Sequence, residues 1–272
     1  MNNQKMTVGQ IHTLLDSLAP FALAEEWDHC GLRLGHFKTT VSSVAFSLNP
    51  SAAAVHLAAH SGCQLLITHH PLLFRPADNL ICDRIDIKTA QAAFSSGIDI
   101  ISCHTNFDCC IDGVNQTLAR QANIQYPEPL ISHARVREFG MGAIGTVSGQ
   151  NVIQLCDQVA KAWHLTGYRY YGCETIVSNV ALCGGAGADI WRAARAKGAQ
   201  LYITADMSYH ECLEAVDSGL NLMICDHGEM EELPLKFFSE QFKHVSGLPV
   251  TFISNDSVSH VMAHWRSMKD YV

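Results

Sequence analysis

The chain has 272 residues, 48% of them hydrophobic, with 26 acidic against 18 basic side chains and a formal net charge of −8. That length and apolar share are enough to bury a core without disulfides, and the acidic balance leaves no basic footprint for a nucleic-acid backbone, so nucleic acid is not an expected partner. No apolar run approaches the roughly 18 to 20 residues of a membrane span, and Met1-Asn2-Asn3-Gln4-Lys5-Met6 lacks the apolar stretch of a secretory signal. The eleven cysteines include no Cys-x-x-Cys pair. That speaks against a cysteine zinc site and for reduced, mostly buried thiols in a cytoplasmic protein.

From Val44 the chain reads as a strand, a turn, an Ala-rich helix ended by Gly62, and a second strand, Gln64-Leu65-Leu66-Ile67-Thr68, that runs into His69-His70. Histidine and carboxylate are the ligand set of divalent cations such as zinc, manganese and iron. The C-terminal end of a strand is where open α/β sheets keep their ligands. Neighbours on a strand point to opposite faces, so His69 and His70 are not expected to chelate one ion. At a strand end that bends, each reaches a different ion, which favours two. The bland alternative is one ligand and one core histidine bonded to a backbone carbonyl.

Ser96 to Cys103 forms the next strand unit, followed by His104 and Asp108. These two share a face only if Thr105-Asn106-Phe107 turns helically. Because Asp112 to Ala119 reads as a turn and a helix start, Asp108 is expected in the loop before it, as a ligand or as a solvated carboxylate. His104 is a ligand, a group behind a ligand, or a substrate contact. Pro127 to Pro129 and Gly140 to Gly145 mark a seam between halves.

The second half repeats the first. Val180 to Asp206 aligns without gaps on Val44 to His70 at an offset of 136, with nine identities in 27 positions, and Ser218 to Cys225 matches Ser96 to Cys103 at an offset of 122. The first copy therefore carries about 14 additional residues, around Arg75 to Ile87. Gly184 to Ala188, after a strand and before a helix, either holds phosphate on backbone amides or is a tight turn. Asp206 and His210, at the position of the histidine pair, are either groups that orient ligands or a general acid and base, and Asp206 can equally cap a helix. His227 and Glu231, at the start of a helix seen in Pro234 to Phe242, share a face, and Glu231 can bridge two ions. Glu229 and Glu232 read as solvated charges favourable near a helix N-terminus.

Two similar three-layer α/β halves follow from this pattern, residues 1–127 and 128–272, each with a mostly parallel sheet. The halves are related by the internal repeat, and the metal site is expected between them, where pockets often form.

Several segments resemble the NIF-three-like family, often called GTP cyclohydrolase I type 2. They are Ala24-Glu25-Glu26-Trp27-Asp28-His29-Cys30-Gly31-Leu32, Ile67-Thr68-His69-His70-Pro71, His104-Thr105-Asn106-Phe107-Asp108 followed by Gly113-Val114-Asn115, Ile203-Thr204-Ala205-Asp206 with His210, and His227-Gly228-Glu229-Met230-Glu231. The resemblance covers nearly the whole chain. It implies a homohexamer with a dinuclear centre of two divalent metal ions per chain, held by His69, His70, Asp108, His227 and bridging Glu231. It also implies no extra middle domain, given the short stretch Pro129 to Tyr171. His29 stands where the family usually has Asn, Ala143 where it often has Arg, and Met230 where Thr is usual. The function expected is a metal-dependent hydrolase of a nucleotide or phosphorylated small molecule, with His104, His210 and Asp206 as candidate catalytic groups. The alternative is a metal-binding scaffold or metal-trafficking protein without catalysis.

Overall fold

The computed structural model describes residues 4–134 and 136–258. The chain divides into two compact units that interleave along the sequence. The first lies within Met1–Val114, His133–Gly140 and Glu232–Val258, the second within Asn115–Ser132 and Met141–Glu231. Strand pairing gives the reason. The late strand Val250–Ile253 pairs with Val44–Ser47 in the first sheet, while Gln125–Glu128 pairs with Ala143–Asn151 in the second. A single cut at residues 127 and 128 follows neither pairing.

In the first unit a five-stranded sheet runs in the order Val250–Ile253, Val44–Ser47, Leu65–Thr68, Asp99–Ser102, Gly31–Leu34, with only the last strand antiparallel. The three central strands are buried at every residue, as a sheet covered on both faces requires. Alternation assigns the faces. Ala45, Leu66 and Ile100 pack with Ala54, Val55 and Ala58 of the helix Ala52–His60 and with Ala93 of Ile85–Ser96. Phe46, on the opposite face, meets Phe238 and Phe242 of the helix His227–Ser246, at ring-centroid distances of 6.0 and 5.5 Å. The unit is three-layered.

In the second unit a six-stranded sheet runs in the order Tyr168–Tyr171, Asn221–Cys225, Leu201–Ala205, Ile176–Ala186, Ala143–Asn151, Gln125–Glu128. Its three-strand centre is parallel and its outer strands antiparallel. Ala181, Tyr202, Leu222 and Ile224 pack with Trp191, Ala194, Cys212 and Ala215. The helix Val152–Ala162 buries Val152, Leu155, Cys156 and Val159, the i, i+3, i+4, i+7 stripe of an amphipathic helix.

The pairing registers carry the repeat read from the sequence. Val44 stands opposite Leu65, and Val180 opposite Leu201, both related by 136. Leu65 stands opposite Asp99, and Leu201 opposite Asn221, with the second strand displaced by 122. The Gln64 Oε1 accepts from the backbone of Ser42 and Ser43, and the Gln200 Oε1 from that of Ser178 and Asn179. Gly62 and Gly198 both take positive φ, +74° and +82°, the left-handed turn that glycine adopts without strain. Among the described residues no helix is long and apolar enough to cross a membrane.

Candidate functional site

In the first unit the strand Leu65–Thr68 stops one residue short of the histidine pair. Thr68 Oγ1 donates to the His70 carbonyl at 2.7 Å, bending the chain, so strict face alternation no longer applies. The rings of His69 and His70 lie 5.0 Å apart, and His104 is 5.1 and 5.6 Å from them. One ligand nitrogen from each of the three lies within 4.8 Å of the others. Neighbouring histidines are thus close enough that they could share one ion.

His104 precedes a short helix, Thr105–Cys109. Asp108 therefore sits within a helical turn rather than a loop, its N–H bonded to the His104 carbonyl at 3.0 Å. Its carboxylate lies 3.6 Å from His69 Nε2. The turn is anchored by Phe107, fully buried and stacked at 4.4 Å on Phe238.

Hydrogen bonding fixes the imidazoles. His69 Nδ1 is 3.0 Å from the Cys103 carbonyl oxygen, which only accepts, so Nδ1 donates and Nε2 holds the lone pair. His70 Nδ1 is 2.7 Å from Asn49 Oδ1. Asn49 Nδ2 donates to Asn255 Oδ1 at 3.2 Å, which turns its oxygen toward His70. His104 Nδ1 donates to Asp28 Oδ2 at 2.9 Å. In all three, Nδ1 is the tethered atom.

Asp28 is a residue that sequence reasoning quoted within a motif and gave no role. Its side chain is 1% exposed. Besides His104, it accepts from Thr105 N and Oγ1 at 3.0 and 2.6 Å, His29 N at 2.7 Å and Cys30 Sγ at 3.2 Å. Burial pushes its pKa up, but the bonds from His104 and Thr105 outweigh burial and hold it well below the usual carboxylate range. Its bonds to His104 and Thr105 span 76 and 77 residues, so nothing local in the sequence pointed to them.

In the second unit the strand Leu201–Ala205 delivers Asp206 in a left-handed conformation, φ +51°, an arrangement Asp tolerates better than most residues. Asp206 Oδ2 receives His227 Nδ1 at 2.6 Å. His227 opens the helix, and its Nε2 lies 3.0 Å from Oε2 of the buried Glu231, one turn on. Burial lowers the His227 pKa, but Glu231 and Asp206 outweigh it and raise the value to about 9. Capping of the next helix falls to Ser208 and Glu211, so Asp206 is freed from the capping role considered for it. His210 stands exposed in the first turn of that helix, its ring 5.5 Å from Tyr209. Among the described residues it makes no hydrogen bond to Asp206, His227 or Glu231. Glu229 lies in the first turn of the helix and also accepts from Thr166 N and Oγ1 at 2.9 and 2.6 Å.

The glycine cluster divides: Gly184 and Gly185 end a strand, and Gly187 and Ala188 open the turn into the helix Trp191–Ala196, with Ile190 N donating to the Gly187 carbonyl at 3.3 Å. The strand Ile176–Ala186 runs through Gly184 and Gly185, the Gly184 amide donates to Asn115 Oδ1 at 2.9 Å and the Gly187 amide to Thr204 Oγ1 at 3.0 Å. Gly185, at φ +66°, lies so close to Glu231 that a Cβ there would collide with Oε1. Its role is to leave room for that carboxylate. Sequence reasoning saw the glycines and missed this contact, because a tertiary approach leaves no local signature.

Known proteins share this architecture. The family model described as Duf34/NIF3 (NGG1p interacting factor 3) matches residues 6–258. The chain is 27% identical over 226 residues to a "GTP cyclohydrolase 1 type 2 homolog" of Clostridium acetobutylicum, covering 82% of this chain and 84% of that one. Among solved structures, a Bacillus cereus protein related to NIF3 superposes with a TM-score of 0.83 at 21% identity, over 95% of this chain and 98% of the other. Reduced HcgD from Methanocaldococcus jannaschii gives 0.80 at 25% identity, over 92% and 98%. With its sheets, its histidine-bearing strand ends and a family match across nearly all described residues, this chain belongs to the Duf34/NIF3 family.

Proposed function

We propose that His69, His70, Asp108, His227 and Glu231 are the ligands of two divalent metal ions, zinc, manganese, iron or similar, and that the protein is a metal-dependent hydrolase of a nucleotide or other phosphorylated small molecule. One observation supports the metal reading above others. His69, His70, His104 and His227 each commit Nδ1 to an acceptor, a carbonyl, an amide oxygen or a carboxylate. That is the arrangement that fixes tautomer and ring orientation in metal-ligating histidines. His227 lies between the carboxylates of Asp206 and Glu231, a setting that favours positive charge and suits a bound cation once the ring is neutral.

Bound there, two divalent ions supply an acidified water and polarise the bond under attack. The chain's own residues do the rest. His104, oriented by Asp28, presents Nε2 to take or return a proton. Asp206 keeps the His227 ring in register, and Gly185 leaves Glu231 its space. The relatives' name, GTP cyclohydrolase 1 type 2 homolog, supports a purine nucleotide as the substrate. Cytoplasmic residence, supported by eleven free cysteines, and a homohexamer, which sedimentation tests, belong to the same reading.

Protein loaded with manganese, zinc or iron and assayed against a nucleotide panel is expected to turn over at least one nucleotide. His70→Ala and Glu231→Ala are expected to lose that turnover while retaining wild-type circular dichroism. If no metal gives turnover on any nucleotide, the hydrolase reading fails and a metal-holding or metal-trafficking role replaces it.

A further inference from the structure

Two large aromatic side chains stand in solvent against the same imidazole. Trp27 is 58% and Phe74 55% exposed. Trp27 packs on His104 at a centroid distance of 6.1 Å and an interplanar angle of 75°, Phe74 at 5.6 Å and 85°. Phe74 also reaches His70, at 6.1 Å. Scattered exposed apolar residues are ordinary; two that converge on one polar, tethered ring are not. Among the described residues His104 is the one ring that Trp27 touches, and more than half of each aromatic side chain stands in solvent, open to a second ring.

We propose that Trp27 and Phe74 form a stacking subsite for a planar heteroaromatic ring, a purine base among the probes at hand, beside His104. The subsite rests on the functional reading above and specifies which part of the substrate these residues take. An aromatic face gains by stacking on any flat π system, whichever base it carries. His104 narrows the class. Its Nδ1 is spent on Asp28, so an occupant must bring a polar edge to Nε2 or leave that nitrogen dry and unsatisfied. A heterocycle with ring nitrogens and exocyclic oxygen or amine has such an edge; an aliphatic chain has none.

The test is calorimetric titration with guanosine, and with ribose as the same ligand lacking the ring, on metal-free and metal-loaded protein. Trp27→Ala and Phe74→Ala are each expected to weaken guanosine binding about ten-fold or more, the scale of one lost base-stacking contact. Trp27→Phe, which keeps a face, is expected to stay within about three-fold, and the metal content of all three to remain wild-type. Both positions are exposed, so the variants are expected to fold. Guanosine binding unchanged in both alanine variants, or wild-type affinity for guanosine no better than for ribose, overturns the subsite. So does a change of oligomeric state in Trp27→Ala with guanosine affinity intact, which makes the rings a protein interface. Ring-dependent binding in protein that takes up no metal removes the two-ion reading and keeps the subsite. Ring-independent binding in fully loaded protein does the reverse.

Discussion

Asp28 and Asp206 share one task at two places in the chain: each is a carboxylate that accepts the Nδ1–H of a histidine. Removing the charge behind a ligand typically costs 10- to 100-fold in metal affinity. Asp206→Asn, which keeps a residue tolerant of the left-handed backbone, is therefore expected to weaken metal binding about ten-fold or more in a chelator competition. Unchanged affinity would leave Asp206 with no role at His227. For Asp28 the consequence extends to stability. Its folded pKa lies below the unfolded value, so its contribution is fully present above about pH 4 and is lost as the pH falls through the folded value. Asp28→Asn is expected to cost about 2 kcal/mol at pH 7, as for a buried hydrogen-bonded charge. In thermal melts the gap to wild type should narrow as the pH drops below 4; a gap constant from pH 7 to pH 2 contradicts this. The histidines were legible because their types and spacing carry chemistry. Asp28 and Gly185 were not, because each acts on a residue more than 40 positions away and nothing local distinguishes them.

Among the elements, the parallel strands read plainly from apolar runs ended by glycine or polar residues, and the repeat even located the extra residues of the first copy. These lie in the irregular segment before and into the helix Ile85–Ser96. The errors concern boundaries. The expected helix at Pro234 to Phe242 extends over His227–Ser246, since a proline inside a helix removes one hydrogen bond without ending it when packing compensates. Phe238 supplies part of that packing, buried against Phe46 and Phe107. Phe107 in turn belongs to the turn that carries Asp108. Phe238→Ala is expected to destabilise the protein by about 3–5 kcal/mol in denaturant unfolding; a loss below about 1 kcal/mol would mean that this aromatic stack does not support the sheet.

Across the molecule, interleaving was the feature the sequence hid. Strand periodicity and the repeat point to two halves laid end to end. They contain nothing to say that Val250–Ile253 returns to the first sheet or that Gln125–Glu128 joins the second, because partner choice in a sheet is set by tertiary packing rather than by local pattern. The proposal that five side chains hold two ions is tested most directly by metal content. Protein saturated with manganese or zinc, desalted and submitted to elemental analysis, is expected to hold two ions per chain. His69→Ala, His70→Ala and Glu231→Ala are each expected to bring that figure to one or fewer. Well under one ion per wild-type chain, or two ions in all three variants, would contradict it.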